Sequence, residues 1–280
     1  MSHFQFQTVS NIISGLGSIY ELKHLLQQQP YKKLLLVTDA GMIQQQLHLA
    51  IIEILETIQL DYVIYSSVQA DPPEHIVLDA VQFAKNEKVD IVLGFGGGSS
   101  LDVAKIIAIL AHPQQQQTLS DLYGINNAKQ PRLPLFLVPT TAGTGSEVTP
   151  ISIVTTGETT KTGIVSPVLF ADVAILDATF TQNLPAHITA ATGIDAMVHA
   201  IEAYTSKIKK NPYADMLAKQ ALKLLNTNLS IVLADGQNLA ARQNMLVGSM
   251  LAGQAFANAP VGAVHALAYP LGGHFHISHG

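Results

Sequence analysis

Asp195 and His199 are four residues apart and form the pair in this sequence best suited to bind a metal ion. On a helix, residues with this spacing lie one above the other on a single face. A carboxylate and an imidazole on one face make half of a divalent-metal site. Such a pair is more often a structural hydrogen bond. The residues around it, 194–200, are otherwise apolar, however, and an unpaired carboxylate there would be costly.

Histidines near the end of the chain are candidates for the other half of this site. Four of the 11 histidines, His265, His274, His276 and His279, follow in a stretch that contains Gly and Pro. The chain has no cysteine, so a metal would be held by His, Asp or Glu, which favours iron, zinc or manganese. Two of the four late histidines would complete a site with open positions, as catalysis requires.

The composition limits the class of protein. A chain of 280 residues can form one large or two medium domains. Hydrophobic residues make up 48% of it and charged residues 12%, which fits strands buried on both faces of a parallel sheet. The net charge of −5 argues against nucleic acid or an anionic membrane as a partner. Without a signal-peptide pattern or an uninterrupted apolar span, the expected location is the cytoplasm.

The pattern of elements predicts two domains. Residues 1–184 alternate between apolar runs and helical spacing, which indicates βαβ units. Residues 185–280 show helical spacing alone, so we predict an α/β domain over 1–184 and a helical domain over 185–280. Strands are predicted at 34–37, 62–65, 91–95, 135–139 and 173–177, with a hairpin over 151–165. Helices are predicted at 42–58, 74–84, 101–110, 185–207, 212–225 and 240–257.

Two loops that follow predicted strands are candidates for binding a cofactor. In the first, residues 94–102, glycines would let a phosphate approach the N-terminus of a helix. The loop does not match GxGxxG, because position 99 is Ser, and an ordinary tight turn is the alternative. The second loop, 138–147, is rich in Thr and Gly, and ligands of open α/β sheets bind at such loops. A plain turn is about equally plausible for it.

Asp39 follows the strand at 34–37 and could accept hydrogen bonds from the hydroxyls of a ribose. Its alternative role is to cap the N-terminus of the next helix. In the usual dinucleotide fold the acidic residue follows the glycine loop, whereas Asp39 precedes it. The usual motif therefore does not apply directly.

Taken together, these motifs resemble the iron-containing (group III) alcohol dehydrogenase family. The similarity extends over essentially the whole chain, from a Phe-rich segment at the N-terminus that is expected to be a strand, through the two loops, to residues 193–204 and 265–280. The resemblance implies an N-terminal dinucleotide-binding domain with a parallel sheet, followed by an all-helical metal-binding domain. It also implies that Asp195, His199, His265 and His279 bind the metal, with Fe²⁺ favoured over Zn²⁺.

The same resemblance assigns residues to the cofactor NAD. Asp39 matches the acid that favours NAD over NADP, because it would repel a 2′-phosphate. The residues that match the family's pyrophosphate- and nicotinamide-binding positions are Gly97, Gly98, Ser99, Thr140, Thr141, Thr144, Thr149 and Lys161. Asp102, in the first loop, is also expected to bind the cofactor.

Two positions depart from the family pattern. Where members often have a histidine that lines the active site, this chain has Tyr269, whose phenol can donate or accept a proton. Members also continue beyond the last metal ligand with further helices, whereas this chain ends one residue after His279. We therefore expect a truncated member with an incomplete helical domain.

The resemblance implies an NAD-linked, metal-dependent dehydrogenase that interconverts small primary alcohols or diols and aldehydes by hydride transfer, with the metal as Lewis acid. A homodimer is expected. The alternatives are a non-catalytic remnant that binds nucleotide or metal, and a metal-dependent reductase of another carbonyl compound.

Overall fold

A computed structural model describes residues 3–157 and 160–268. Its strands are β1 (Asn11–Ser14), β2 (Lys33–Asp39), β3 (Asp61–Val68), β4 (Ile91–Gly96), β5 (Gly124–Ile125), β6 (Leu135–Pro139), β7 (Ile151–Thr156), β8 (Thr160–Val165) and β9 (Val173–Leu176). Its helices are α1 (Leu22–Gln27), α2 (Ala40–Gln44), α3 (Leu49–Thr57), α4 (Glu74–Glu87), α5 (Gly98–Leu110), α6 (Leu119–Leu122), α7 (Ala186–Thr205), α8 (Pro212–Ala234) and α9 (Leu239–Asn258).

A parallel sheet with the strand order β1-β9-β6-β4-β2-β3 forms the centre of the N-terminal half. Successive side chains of a strand point to opposite faces of the sheet. Leu35 and Val37 of β2 accordingly pack in the core on the side of α4 and α5, whereas Leu34 and Leu36 pack on the side of α1 and α3. Burial on both faces explains why these strands are continuous apolar runs, and the predicted α/β fold is confirmed.

A smaller sheet lies beside the N-terminus of α5. Strands β7 and β8 pair antiparallel, as the hairpin prediction required, and β5 adds to β8 in parallel. The backbone N–H of Ile153 in β7 donates to the carboxylate of Asp102 in α5, at 2.9 Å. The hairpin is thereby held close to the glycine-rich loop.

The C-terminal half is helical, as predicted. Helices α7, α8 and α9 pack against one another, and α9 is buried along most of its length. The division of the chain at 184 and 185 stays a prediction, although α7 begins immediately after it, at Ala186. None of the helices in the described part of the chain combines the length and the apolarity needed to span a lipid bilayer.

Three local predictions were wrong. The helix expected over 42–58 is interrupted between α2 and α3, where Gln46 has a φ of 58°, a left-handed conformation that a helix cannot contain. Helix α8 continues to Ala234, beyond the predicted end at 225. The Phe-rich N-terminal segment is not a strand: Phe4 and Phe6 instead pack against the ring of Tyr213 in α8.

The loop after β6 lies very close to the backbones of α7 and α9. A Cβ on Gly253 would lie 2.9 Å from the carbonyl oxygen of Gly145, and a Cβ on Gly143 would lie 2.7 Å from Cβ of Thr192. Gly145 also has a φ of +60°, which strongly favours glycine. The sheet and the helices can therefore pack at this distance only if these positions lack side chains.

We expect Gly253→Ala to lower the free energy of unfolding by about 1–3 kcal/mol, because the added methyl group must push two backbones apart. The matched control is Gly163→Ala in β8, where the new Cβ would lie at an ordinary 3.5 Å from Ile153. Thermal unfolding of both variants measures the effect. Equal changes in melting temperature would contradict the close-packing argument.

Candidate active site

The carboxyl ends of β2, β4 and β6 meet at one edge of the sheet. Strand β3 lies on one side of β2 and β4 on the other, so the order of the chain reverses between β2 and β4. Ligands of open α/β sheets bind outside such a reversal. Gly97 follows β4 as the N-cap residue of α5, and the backbone N–H of Thr140 after β6 donates to the carbonyl of Gly96.

Asp39 caps a helix at this edge. Its Oδ1 accepts from the backbone N–H groups of Gly41, at 2.9 Å, and Met42, at 3.2 Å. Its Oδ2 accepts from Oγ of Ser100 in α5, at 3.4 Å. The capping role considered from the sequence is thus present, and the carboxylate also lies beside the N-terminus of α5.

A cavity of about 240 Å³ connects the predicted cofactor loops with the predicted metal ligands. Its lining includes nine of the predicted site residues: Gly98, Ser99, Asp102, Thr144, Thr149, Lys161, Asp195, His199 and His265. The other lining residues are Asp71, Pro72, Ser146, Ile151, Ile153, Phe256 and Val261.

Lys105 is buried next to this cavity and forms a polar network with Asp102 and Ser146, which line it. Lys105 Nζ donates to Ser146 Oγ at 2.7 Å and to the carbonyl of Ile151 at 2.6 Å, and lies 3.3 Å from Asp102 Oδ1. Ser146 Oγ in turn donates to Asp102 at 2.6 Å. Burial lowers the pKa of Lys105, against the opposing effect of Asp102. The network ties α5, the loop after β6 and the hairpin together, and satisfies charges that would otherwise be costly to bury.

Asp71 joins the hairpin to the glycine-rich loop at the opening of the cavity. Its Oδ1 accepts from Lys161 Nζ at 2.5 Å, and its backbone N–H donates to Ser99 Oγ at 3.3 Å. Its carbonyl accepts from the Thr155 hydroxyl at 2.9 Å. Lys161 therefore lies at the cavity through an ion pair that the sequence pattern did not predict.

Asp195, His199 and His265 meet at the other end of the cavity. One ligand atom from each of the three lies within 4.8 Å of the others, and all three residues are buried. Asp195 Oδ1 lies 3.9 Å from His199 Nε2 and 3.5 Å from His265 Nε2. The His199 ring stacks between those of Phe256 and His265, with centroids 4.4 Å away on each side.

This donor set fits iron or zinc. Two imidazoles and one carboxylate, close enough to share a single ion, are ligands that both metals accept. Burial lowers the pKa of His265, but hydrogen bonds with Asp195 and Glu202 outweigh it and leave that pKa above its ordinary value. Binding of a metal ion requires the ligating ring nitrogen to be deprotonated.

Some predicted residues lie outside this cavity or outside the described chain. Asp39, Gly97, Thr140 and Thr141 lie along the edge of the sheet but are not among the cavity-lining residues. Tyr269 and His279, like His274 and His276, lie outside the described residues. Their predicted roles are untested.

Several residues of the site were missed by sequence reasoning. Glu202 was recognisable in principle, because it lies three residues after His199 on the same face of α7. Phe256 gave no comparable signal, since an apolar residue on an apolar helix is usually part of the core. Lys105 contacts Ser146, which is 41 residues away in the sequence, and Asp71 contacts Lys161, which is 90 residues away. Only the tertiary fold brings these pairs together.

Comparison with known proteins agrees with this geometry. The family model "Iron-containing alcohol dehydrogenase" matches residues 10–178, and the model for the C-terminal part of the same family matches residues 189–280. The chain is 43% identical to Long-chain-alcohol dehydrogenase 1 of Geobacillus thermodenitrificans over 267 residues, 95% of this chain and 67% of that protein.

Solved structures show the same relationship. A 1,3-propanediol oxidoreductase superposes with a TM-score of 0.94 at 37% identity, over 99% of this chain and 72% of the other. The sulfoacetaldehyde reductase of Bifidobacterium kashiwanohense, solved in complex with NAD⁺, superposes with a TM-score of 0.91 at 29% identity, over 100% of this chain and 73% of the other.

The protein has an α/β half followed by a helical half, and its cavity contains three residues that could hold a metal ion. The chain belongs to the iron-containing alcohol dehydrogenase family. Its relatives include alcohol dehydrogenases and reductases, which are oxidoreductases of small molecules.

Glu147, next to Ser146 in the loop, makes the free energy of unfolding depend on pH. Burial raises its pKa to about 7 from 4.5, against the attraction of Lys105. Between these values the unfolded chain releases the proton while the folded chain keeps it. The contribution of Glu147 to stability therefore falls as the pH rises through this window, by about 3 kcal/mol in all.

We expect Glu147→Gln to raise the melting temperature relative to wild type by several degrees more at pH 8 than at pH 5. Glu53→Gln, at an exposed position of α3, serves as the control and should show no such difference between the two pH values. Thermal unfolding followed by circular dichroism measures both. An increase in melting temperature for Glu147→Gln that is the same at pH 5 and pH 8 would contradict a raised pKa of Glu147 in the folded protein.

Proposed function

We propose that this protein is an NAD-linked, metal-dependent alcohol dehydrogenase and aldehyde reductase acting on small primary alcohols or diols. One observation carries the proposal: a single cavity is lined both by the glycine-rich and Thr-rich loops and by Asp195, His199 and His265. A cofactor bound to the loops would share that cavity with a metal ion. This arrangement suits an alcohol dehydrogenase better than a nucleotide-binding module alone.

The loops are proposed to bind NAD. Gly97, Gly98 and Ser99 start α5, where backbone N–H groups favour the pyrophosphate. The NAD⁺ complex of the related sulfoacetaldehyde reductase supports this choice of cofactor. Asp39 is proposed to contact the adenosine ribose. The remaining residues proposed to hold the cofactor are Asp102, Thr140, Thr141, Thr144, Thr149 and Lys161.

The metal is proposed to be Fe²⁺, with Zn²⁺ as the second choice. Asp195, His199 and His265 would hold it, with His279 as the fourth ligand. The metal would supply Lewis acidity toward a substrate hydroxyl, and NAD would supply the hydride acceptor. The phenol of Tyr269 is proposed to take part in proton transfer.

Apolar side chains would hold the carbon chain of the substrate and exclude water. Phe256 packs on the His199 ring, and Val261 lines the same cavity. Ile151 and Ile153 of the hairpin line it as well. These side chains offer no hydrogen bonds to a substrate, so they favour a small, mostly apolar alcohol.

Three further proposals rest on the family resemblance. The protein is proposed to be a homodimer and to be cytoplasmic. Its two domains are proposed to be 1–184, which binds NAD, and 185–280, which binds the metal.

The test of this function is NAD-linked oxidation of short alcohols and diols by the metal-loaded protein. We expect the double variant His199→Ala/His265→Ala to lose metal and to lose at least about 100-fold in kcat/KM, because two of the ligands are removed. His187→Ala changes an exposed histidine of the same helix and should behave as wild type. Binding of NAD and metal without turnover, or full turnover by metal-free protein, would contradict the proposal.

The choice between NAD and NADP can be tested at Asp39. Asparagine keeps a cap acceptor for α2 but removes the negative charge. We expect Asp39→Asn to reduce the preference for NAD over NADP by about tenfold in kcat/KM, since repulsion of the 2′-phosphate is lost. Asp61→Asn, at an exposed position of β3, is the control. An unchanged preference would show that Asp39 only caps the helix.

A further inference from the structure

Helix α7 carries a third buried acidic or imidazole side chain on the face of the proposed metal ligands. Glu202 is seven residues after Asp195 and three after His199, and is only 6% exposed. It is not one of the residues that line the cavity. Its burial therefore needs an explanation other than contact with a substrate or cofactor.

Both carboxylate oxygens of Glu202 face the segment that carries His265. Oε2 lies 2.5 Å from His265 Nδ1, and Oε1 accepts from the backbone N–H of Val264 at 2.7 Å. One carboxylate oxygen of Glu202 is thus fixed by the ring of His265 and the other by the backbone of Val264.

The contact decides which ring nitrogen of His265 can bind a metal. A carboxylate accepts and cannot donate, so Nδ1 must carry the proton. Nε2 is then the nitrogen with a lone pair to offer, and it lies on the side of Asp195, 3.5 Å from Oδ1. The hydrogen bond made by one ring nitrogen commonly sets how the other serves as a ligand.

We propose that Glu202 is the positioning residue that makes His265 an Nε2 metal ligand. It does so by holding the Nδ1 proton and by fixing the backbone of the segment 263–268 through Val264. The inference rests on the proposed metal-dependent function. Glu202 lies outside the cavity and affects metal binding through its contact with His265.

A glutamine at this position would have the same shape but the wrong chemistry. If its amide nitrogen faced His265, it would donate to Nδ1 and drive the ring proton onto Nε2, the ligand atom. If its amide nitrogen faced Val264 instead, two N–H groups would oppose each other. Neither arrangement reproduces both contacts that the carboxylate makes with His265 and Val264.

The test compares Zn²⁺ affinity by chelator competition in wild type, Glu202→Gln and Asp177→Asn. We expect Glu202→Gln to bind Zn²⁺ about 10–100-fold more weakly than wild type. Asp177 is a matched control, because it is fully buried and accepts from the backbone N–H groups of Ile19 and Thr179, away from the cavity. Asp177→Asn should lower stability and leave Zn²⁺ affinity unchanged.

A second readout follows the ring proton itself. In metal-free protein with neutral His265, ¹⁵N–¹H correlation spectra should place the ring proton on Nδ1 in wild type and on Nε2 in Glu202→Gln. The His265 signals are those missing from His265→Ala. A proton on Nε2 in wild type would overturn the proposal.

The outcomes separate the two proposals. A wild-type chain that does not bind Zn²⁺ contradicts the metal-dependent function. A wild-type chain that binds Zn²⁺, with an affinity matched within twofold by Glu202→Gln, contradicts the role of Glu202 alone. If Glu202→Gln does not fold, Glu202→Asp decides: a loss of more than threefold in affinity relative to Asp177→Asn supports the role, and a smaller loss contradicts it.

Discussion

The site depends on one close packing contact, in which the loop after β6 lies directly against helices α7 and α9. At Gly145 and Gly253 the two backbones leave no room for a side chain, and Gly143 meets Thr192 in the same way. This contact places Thr144, in the loop after β6, in the same cavity as Asp195 of α7 and Phe256 of α9. Because protein interiors are close-packed, a shift here would move cofactor loop and metal ligands relative to each other.

Buried charges impose the second constraint. Lys105 is buried under the cofactor loops beside Asp102, and Glu202 is buried behind His265, one of the proposed metal ligands. Each would be costly to bury alone, and each is stabilised by partners from a different part of the chain. The same hydrogen bonds that satisfy these groups fix their orientation. Preorganised side chains of this kind lose little freedom when a ligand binds.

Much of the fold could be predicted from local sequence. Continuous apolar runs such as 135–139 gave β6 at its observed bounds, because strands buried on both faces have no polar alternation. The break at Gln46 was missed, since a left-handed Gln carries no clear signal. The site was only partly predictable: Asp195 and His199 are neighbours on one helix, whereas the Lys161–Asp71 pair joins residues 90 positions apart. Such pairs depend on tertiary packing.

The central claim is that Asp195, His199 and His265 jointly bind one divalent ion at the cofactor cavity. X-ray absorption at the zinc edge of the Zn²⁺-loaded chain tests it most directly. The account predicts one zinc per chain, with nitrogen and oxygen ligands at about 2.0–2.2 Å and outer-shell scattering from at least two imidazoles. Removing His199 should abolish part of that imidazole scattering. A spectrum without imidazole scattering, or one unchanged in His199→Ala, would contradict the account.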